Sequence, residues 1–346
     1  MEPLTFIAVF HVGGRGWMSD HGTKPERRSL GVPTPAHPDR RREPLPWHRP
    51  KPVEEDPGAA ERLQAILRSR AYREADEDVD FLGRSEARGP RLQLDYLKAE
   101  VLLEQQGIEH TVVVFGSTRI SEPAAAQRTV DTLASALASD PENAELQRRL
   151  GVARRILANS RYYDIAREFG RLVGAAGSDR SRGRMVLATG GGPGIMEAVN
   201  RGAYDVGAES IGLNITLPEP QYPNPYVSPD LCFRFHYFAN RKLHFMLRAR
   251  ALVAFPGGYG TIDELFEILT LVQTRKIVPL PIVLVGEEYW RKAVGLEFLV
   301  EEGAIDPEDR ELFWFADTAE EAWSGILRWY DAAGRPLLPA SPAQET

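Results

Sequence analysis

Three short stretches of the chain hold residue types that suit an anion. They are Phe115-Gly116-Ser117-Thr118-Arg119, Thr189-Gly190-Gly191-Gly192-Pro193-Gly194 and Pro256-Gly257-Gly258-Tyr259-Gly260-Thr261. Glycine lets the backbone approach a ligand closely and present N–H donors. A helix that follows adds unpaired N–H groups and the positive end of its dipole, which suits a phosphate. One loop of this kind is as easily a tight turn; three on one sheet edge favour an anionic ligand. None matches a dinucleotide or P-loop fingerprint. Counted from Gly190, the G-x-G-x-x-G spacing fails at Ile195, and no Gly-Lys-Ser/Thr follows any loop. A mononucleotide, or one phosphate on a sugar, fits better.

The third loop runs into Thr261-Ile262-Asp263-Glu264. Thr and Glu three apart spell a capping box, with Thr261 capping the helix and Glu264 reaching back. A carboxylate there is repelled by phosphate, so Glu264 is expected to face the sugar. Upstream, Arg241 and Lys242 read as the start of a helix. Cations are unfavourable at a helix start, so an anionic partner is expected close by.

These residues need a scaffold, and the hydrophobic pattern describes one. Apolar, β-branched runs at 111–115, 185–188, 210–215, 251–255 and 281–285 read as strands. Helical periodicity fills 123–139, 144–159, 162–172, 193–206, 241–250, 261–274 and 287–300, with Pro193 placed in a first turn. Residues 312–315 and 319–330 close the series. Strand–helix alternation of this kind predicts an α/β fold: a doubly wound, mostly parallel, Rossmann-like sheet with helices on both faces. Ligands of such sheets bind beyond the carboxyl ends of the strands. The aromatic-rich segments 231–238 and 313–329 suit either an interface or the core.

The expected domains are a disordered Pro/Arg-rich tail (1–56), an N-terminal helical segment (57–108), the Rossmann-like domain (109–332) and a disordered C-terminal tail (333–346). The first tail holds 9 of the 26 prolines without lasting periodicity, a composition that cannot offset chain entropy by burial. Residues 1–17 are also candidates for an untranslated stretch, with Met18 as the true start. In 57–108, Leu63, Ile66 and Leu67 recur at helix spacing. So do Leu92, Leu94, Tyr96, Leu97, Val101 and Leu102, before Gly107 ends the run.

Composition narrows the function. A formal charge of −7 argues against general nucleic-acid binding, which rewards a concentrated positive surface. Cys232 is the sole cysteine, so an intrachain disulfide and a Cys-based metal cluster are both excluded, as suits a reducing cytoplasm. No apolar run approaches the ~20 residues that span a bilayer, and 4–10 lacks the flanks of a signal peptide. Glu197, Asp263, Glu264 and Glu267 show no metal-ligand spacing, and His236 and His244 lack a partner motif. No metal and no cofactor are expected.

Residues 189–203 (TGGGPGIMEAVNRGA), 235–242 (FHYFANRK) and 256–264 (PGGYGTIDE) resemble the LOG family. Its members are cytokinin riboside 5′-monophosphate phosphoribohydrolases and related bacterial nucleotide nucleosidases, formerly labelled lysine decarboxylase-like. The FHYF form is similar to the longer bacterial branch, which acts on purine or pyrimidine monophosphates. The resemblance covers roughly 111–330. It implies a catalytic pair at Arg241 and Glu264, and a substrate site built from Gly116, Ser117, Gly191, Gly192, Gly194, Met196, Lys242, Gly257, Gly258, Gly260 and Thr261. It also implies a nucleoside 5′-monophosphate substrate and a homodimer or higher homo-oligomer. Phe238-Ala239-Asn240 stands where the plant pattern has Met-His-Glu, which leaves base preference open. The alternative is a nucleotide or cofactor carrier of similar architecture, such as the molybdenum-cofactor carriers.

Overall fold

The structure, a computed structural model, describes residues 45–177, 184–219 and 221–337. Most of the two expected tails lies outside these residues. The described parts of both tails carry structure: residues 46–48 form a 3-10 turn, and Leu337 is buried in the core. The chain divides into two compact units, Met1–Asp78 and Val79–Thr346. In the first, helix α1 (Ala59–Leu67) precedes a 3-10 turn at Arg70–Tyr72. Buried Asp78 forms ion pairs with Arg73 at 3.7 Å and Arg70 at 4.0 Å.

The second unit opens with α2 (Val79–Leu82) and α3 (Arg88–Gln105). Seven parallel strands follow: β1 (His110–Phe115), β2 (Met185–Thr189), β3 (Ser210–Ile215), β4 (Cys232–Phe235), β5 (Ala249–Ala254), β6 (Ile282–Val285) and β7 (Trp314–Ala316). Their spatial order is β4-β3-β2-β1-β5-β6-β7. The chain steps outward from β1 to β4, then returns to β5 on the other side of β1. β1 and β5 therefore flank the switch point where doubly wound sheets bind ligands.

Both faces of the sheet are covered, which explains why its strands read as continuous apolar runs rather than alternating ones. Along β1, Val112 and Val114 enter one core and Val113 and Phe115 the other. β5 and β6 divide in the same way. The first core is closed by α6 (Arg161–Gly177), α7 (Ile195–Asp205) and α12 (Ala319–Ala332). The second is closed by α3, α8 (Phe238–Leu247), α9 (Tyr259–Gln273) and α10 (Glu287–Ala293). Helices α4 (Pro123–Ser139) and α5 (Ala144–Asn159) pack on each other through Leu133, Leu150 and Ala153. No helix among the described residues is long and apolar enough to cross a membrane.

Several expected boundaries move for local reasons. Strand β4 is absent from the sequence reading; buried Phe233 and Phe235 alternate with exposed Arg234, so this aromatic segment serves the core. The expected helix 287–300 breaks after Ala293 and resumes as α11 (Leu296–Glu301). Pro193 lies outside α7, because Gly194 precedes the helix at φ 75° and ψ −128°. α8 begins three residues before Arg241, which places Arg241 and Lys242 at the end of its first turn.

Candidate active site

The loops after β1, β2, β3 and β5 meet at the switch point around a cleft of about 520 Å³. Gly116, Ser117, Met196, Arg241, Gly258, Gly260, Thr261 and Glu264 all line it. Gly191, Gly192, Gly194, Lys242 and Gly257 do not; Gly190 lines it instead. Arg119, Phe238 and Tyr259, which belong to the motifs but were given no role, also line it, as does Gln221, which the sequence did not point to.

Glu264 is one of the few buried charged side chains, at 7% exposure. Helix α9 starts at Tyr259 with Gly258 as its cap, and no side chain caps it. The capping-box expectation is therefore overturned: Thr261 is the third helical residue, and Glu264 projects from the next turn into the cleft. Among the described residues, no group donates a hydrogen bond to its carboxylate. Burial pushes this carboxyl up to about 7; the Lys242 and Arg241 cations oppose the rise, and Glu267 and Asp263 add to it. A carboxyl poised there exchanges protons near neutral pH.

Arg241 lines the same cleft. Its Nε donates to the Leu213 carbonyl of β3 at 2.7 Å. Its guanidinium lies 5.2 Å from the Phe245 ring and 5.9 Å from Phe238. Burial lowers its pKa, and Glu264 counters that shift. With Nε committed, the terminal nitrogens are left for other acceptors. Lys242 instead pairs with Asp263 at 2.8 Å and Glu267 at 3.0 Å, tying α8 to α9. The anionic partner expected for the basic pair is, for Lys242, the protein itself.

The start of α8 is held from far away in the chain. Asp95 of α3 accepts the His236 N–H at 2.8 Å, the Tyr237 N–H at 3.1 Å and Asn240 Nδ2 at 3.1 Å. A carboxylate on these orphan donors also suits the helix dipole. His244 packs between the Tyr96 and Phe235 rings, with Nε2 3.1 Å from the Tyr96 carbonyl oxygen. It is a core residue.

The β2 loop is held by a buried polar network that sequence reasoning missed. Thr189 Oγ1 accepts the Gly191 N–H at 3.0 Å and donates to Asn200 Oδ1 at 2.8 Å. Asn200 Nδ2 donates to Ser210 Oγ at 2.9 Å. Asn224 Nδ2 donates to the Gly192 carbonyl and to Asn200 Oδ1, each at 2.9 Å. Its N–H donates to the Gly191 carbonyl at 2.8 Å. Every member is buried and satisfied, the condition under which such networks specify one geometry. The β1 and β5 loops are joined by the Ser117 N–H donating to the Pro256 carbonyl at 2.9 Å. Tyr289 Oη donates to the Gly257 carbonyl at 2.7 Å from beneath. Among the described residues, no group of three or more His, Cys, Asp or Glu side chains is placed to hold a metal ion.

Fold and site together define a doubly wound α/β protein with a carboxylate–arginine cleft at its switch point. The family model described as "Possible lysine decarboxylase" matches residues 196–326. A protein of Oryza sativa subsp. japonica, named a probable cytokinin riboside 5′-monophosphate phosphoribohydrolase, is 32% identical over 143 residues; the match covers 41% of this chain and 67% of the relative. A cytokinin riboside 5′-monophosphate phosphoribohydrolase of Arabidopsis thaliana is 31% identical over 146 residues, covering 41% of this chain and 66% of the relative. The matched stretch thus spans about two thirds of the length of these relatives. The chain belongs to this phosphoribohydrolase family, the LOG family. Among solved structures, the Moco carrier protein of Chlamydomonas reinhardtii is similar at 18% identity and a TM-score of 0.38, covering 65% of this chain and 99% of the carrier.

Proposed function

We propose that the protein hydrolyses the N-glycosidic bond of a nucleoside 5′-monophosphate, releasing the free base and ribose 5-phosphate. One observation carries this reading: Glu264, a buried carboxyl without a hydrogen-bond donor among the described residues, shares the switch-point cleft with the desolvated cation Arg241. A site that only carries a ligand has no need of that pair. The names of the relatives support the same chemistry.

In this reading, the 5′-phosphate takes the open backbone at Gly258 and Gly260, at the start of α9. Phosphate binding far from the reacting bond fixes the sugar for attack. Breaking the bond sends its electron pair to the base nitrogen and builds positive charge on the ribose ring, as in glycoside hydrolysis. Ionised Glu264 stabilises that charge and takes a proton from the water that attacks C1′. The departing base gains a proton, so the atoms balance as hydrolysis. Arg241 supplies donors to the phosphate or to the base.

The test is chromatography of AMP, GMP, CMP and UMP after incubation with the full-length protein. Release of free base from at least one is expected. Binding without cleavage on long incubation would instead make the protein a carrier.

We also propose that it self-associates in the cytoplasm. Leu94, Leu97 and Val101 on α3 and Leu243 and Leu247 on α8 are large, apolar and exposed, as an interface requires. Light scattering on purified protein is expected to show a dimer or larger; a monomer would contradict it.

A further inference from the structure

A second side chain of the cleft, besides Glu264, carries an acceptor without a partner among the described residues. Gln221 lies on the connection between β3 and β4 and lines the cleft. Its Oε1 is buried with no hydrogen-bond partner among the described residues. Unpaired buried acceptors are rare and costly, and a carboxamide that lines a ligand site relieves that cost when it turns its oxygen to a ligand donor.

The surroundings say which part of a nucleotide would supply that donor. Met196, Ile215, Leu217 and Phe238 line the same cleft as Gln221. Those apolar side chains suit the faces of a planar base better than a phosphate. A Cβ built on Gly192 would meet both Met196 Cε, at 2.8 Å, and Gln221 Nε2, at 3.7 Å. Gln221 therefore stands beside Met196 at the β2 loop. The open backbone of Gly258 and Gly260 belongs to the β5 loop, across the switch point.

We infer that Gln221 reads the base, its Oε1 accepting from an exocyclic amino group, so that amino bases are preferred to their oxo counterparts. This inference rests on the proposed nucleotide reading and adds a specificity-determining residue to it. Adenine sets an amino donor beside a ring-nitrogen acceptor, which matches the acceptor and donor of one carboxamide. A 6-oxo purine sets an acceptor against Oε1 instead. Sites built to take a substrate N–H discriminate strongly against an analogue without it, because the buried acceptor is then left unpaired.

AMP and IMP differ in this feature, as 6-amino and 6-oxo purines. The experiment measures kcat/KM for both with wild type, Gln221→Leu and Gln221→Glu, in full-length protein. Wild type is expected to prefer AMP by roughly tenfold or more. Gln221→Leu is expected to remove most of that preference by lowering the AMP value while leaving IMP within about threefold. Gln221→Glu, which keeps an acceptor, is expected to retain it. Equal losses on both substrates in Gln221→Leu, or an unchanged AMP/IMP ratio, would overturn the inference. Should wild type cleave neither nucleotide, the hydrolytic reading fails separately, and calorimetric titration with AMP and IMP decides the role of Gln221. An AMP preference in binding that is lost in Gln221→Leu sustains it. No such preference, or no binding of either nucleotide, overturns it.

Discussion

The β2 and β5 loops have nearly the same composition but use their glycines differently. In the β2 loop, a Cβ on Gly191 would overlap Asn214 Oδ1, and one on Gly194 would overlap the Ser117 carbonyl oxygen. Both residues also have positive φ, 68° and 75°, where a side chain is strained. Those glycines are required by the protein's own packing. In the β5 loop, a Cβ on Gly258 or Gly260 would meet nothing within 4 Å among the described residues, and neither residue has positive φ. Here the folded chain alone gives no reason for glycine, whereas a ligand approaching the backbone does. Glycine content therefore marks both loops, but Gly258 and Gly260 of the second line the cleft with open space at their Cβ positions, whereas Gly191 and Gly194 of the first are packed against the protein and do not line it.

The strongest attempt to break this contrast is Gly194→Ala. It combines a forbidden backbone conformation with an overlap against backbone, so loss of soluble folded protein is expected; circular dichroism and a thermal melt check it. A native-like melt would end the distinction between the loops.

Next in size is Glu264→Gln. Loss of about 10²-fold or more in kcat is expected, with nucleotide binding largely retained, because the charge acts in the transition state. In wild type, kcat/KM should fall as pH drops through about 7, where Glu264 takes up its proton. Stability moves the opposite way to activity. Folding raises this carboxyl from 4.5 to about 7, so in that window the native state binds more protons than the unfolded chain, and wild-type stability falls as pH rises through it. Above that window, Glu264→Gln is expected to be more stable than wild type by up to roughly 3 kcal/mol, at about 1.4 kcal/mol per pKa unit. Denaturant melts at several pH values test this, and the gap should vanish at pH values below 4.5.

Asn224→Ala removes the donor that holds the Gly192 carbonyl and Asn200. A destabilisation of about 1–3 kcal/mol is expected for the buried groups left unpaired. Chemical denaturation reads it. Lys242→Met probes the ties behind the site. Lys242 lowers the Glu264 pKa and neutralises Asp263 and Glu267, so its loss should move the acid limb of kcat/KM to higher pH. An unmoved limb would show that another group governs it.

The smallest effect on stability belongs to Gly260→Ala. With open space at its Cβ and helical surroundings, stability should hold or rise by up to about 1 kcal/mol. KM should nonetheless increase several-fold as the new methyl narrows the backbone approach. An unchanged KM would remove the ligand from the β5 loop and leave the contrast between the loops without a functional side.

The resemblance to the LOG family pointed to Arg241 and Glu264, which line one cleft, and apolar runs pointed to β1, β2, β3, β5 and β6. β4 was harder to see because it is a four-residue edge strand carrying an exposed arginine. The Asp95 cap on α8 was invisible because donor and acceptor are 141 residues apart. Asn200 and Asn224 looked like ordinary helix and loop polar residues until their side chains met around the β2 loop.

What the sequence determined by itself is local. Periodicity set strand against helix, glycine and proline marked the turns, and strand–helix alternation placed the loops on one sheet edge. The tertiary structure decided which glycines remain open, that Glu264 is buried rather than capping its helix, and that Gln221 Oε1 lacks a partner among the described residues. The physical reason is that burial, desolvation and hydrogen-bond satisfaction depend on neighbours brought together from distant parts of the chain. A local pattern does not contain them.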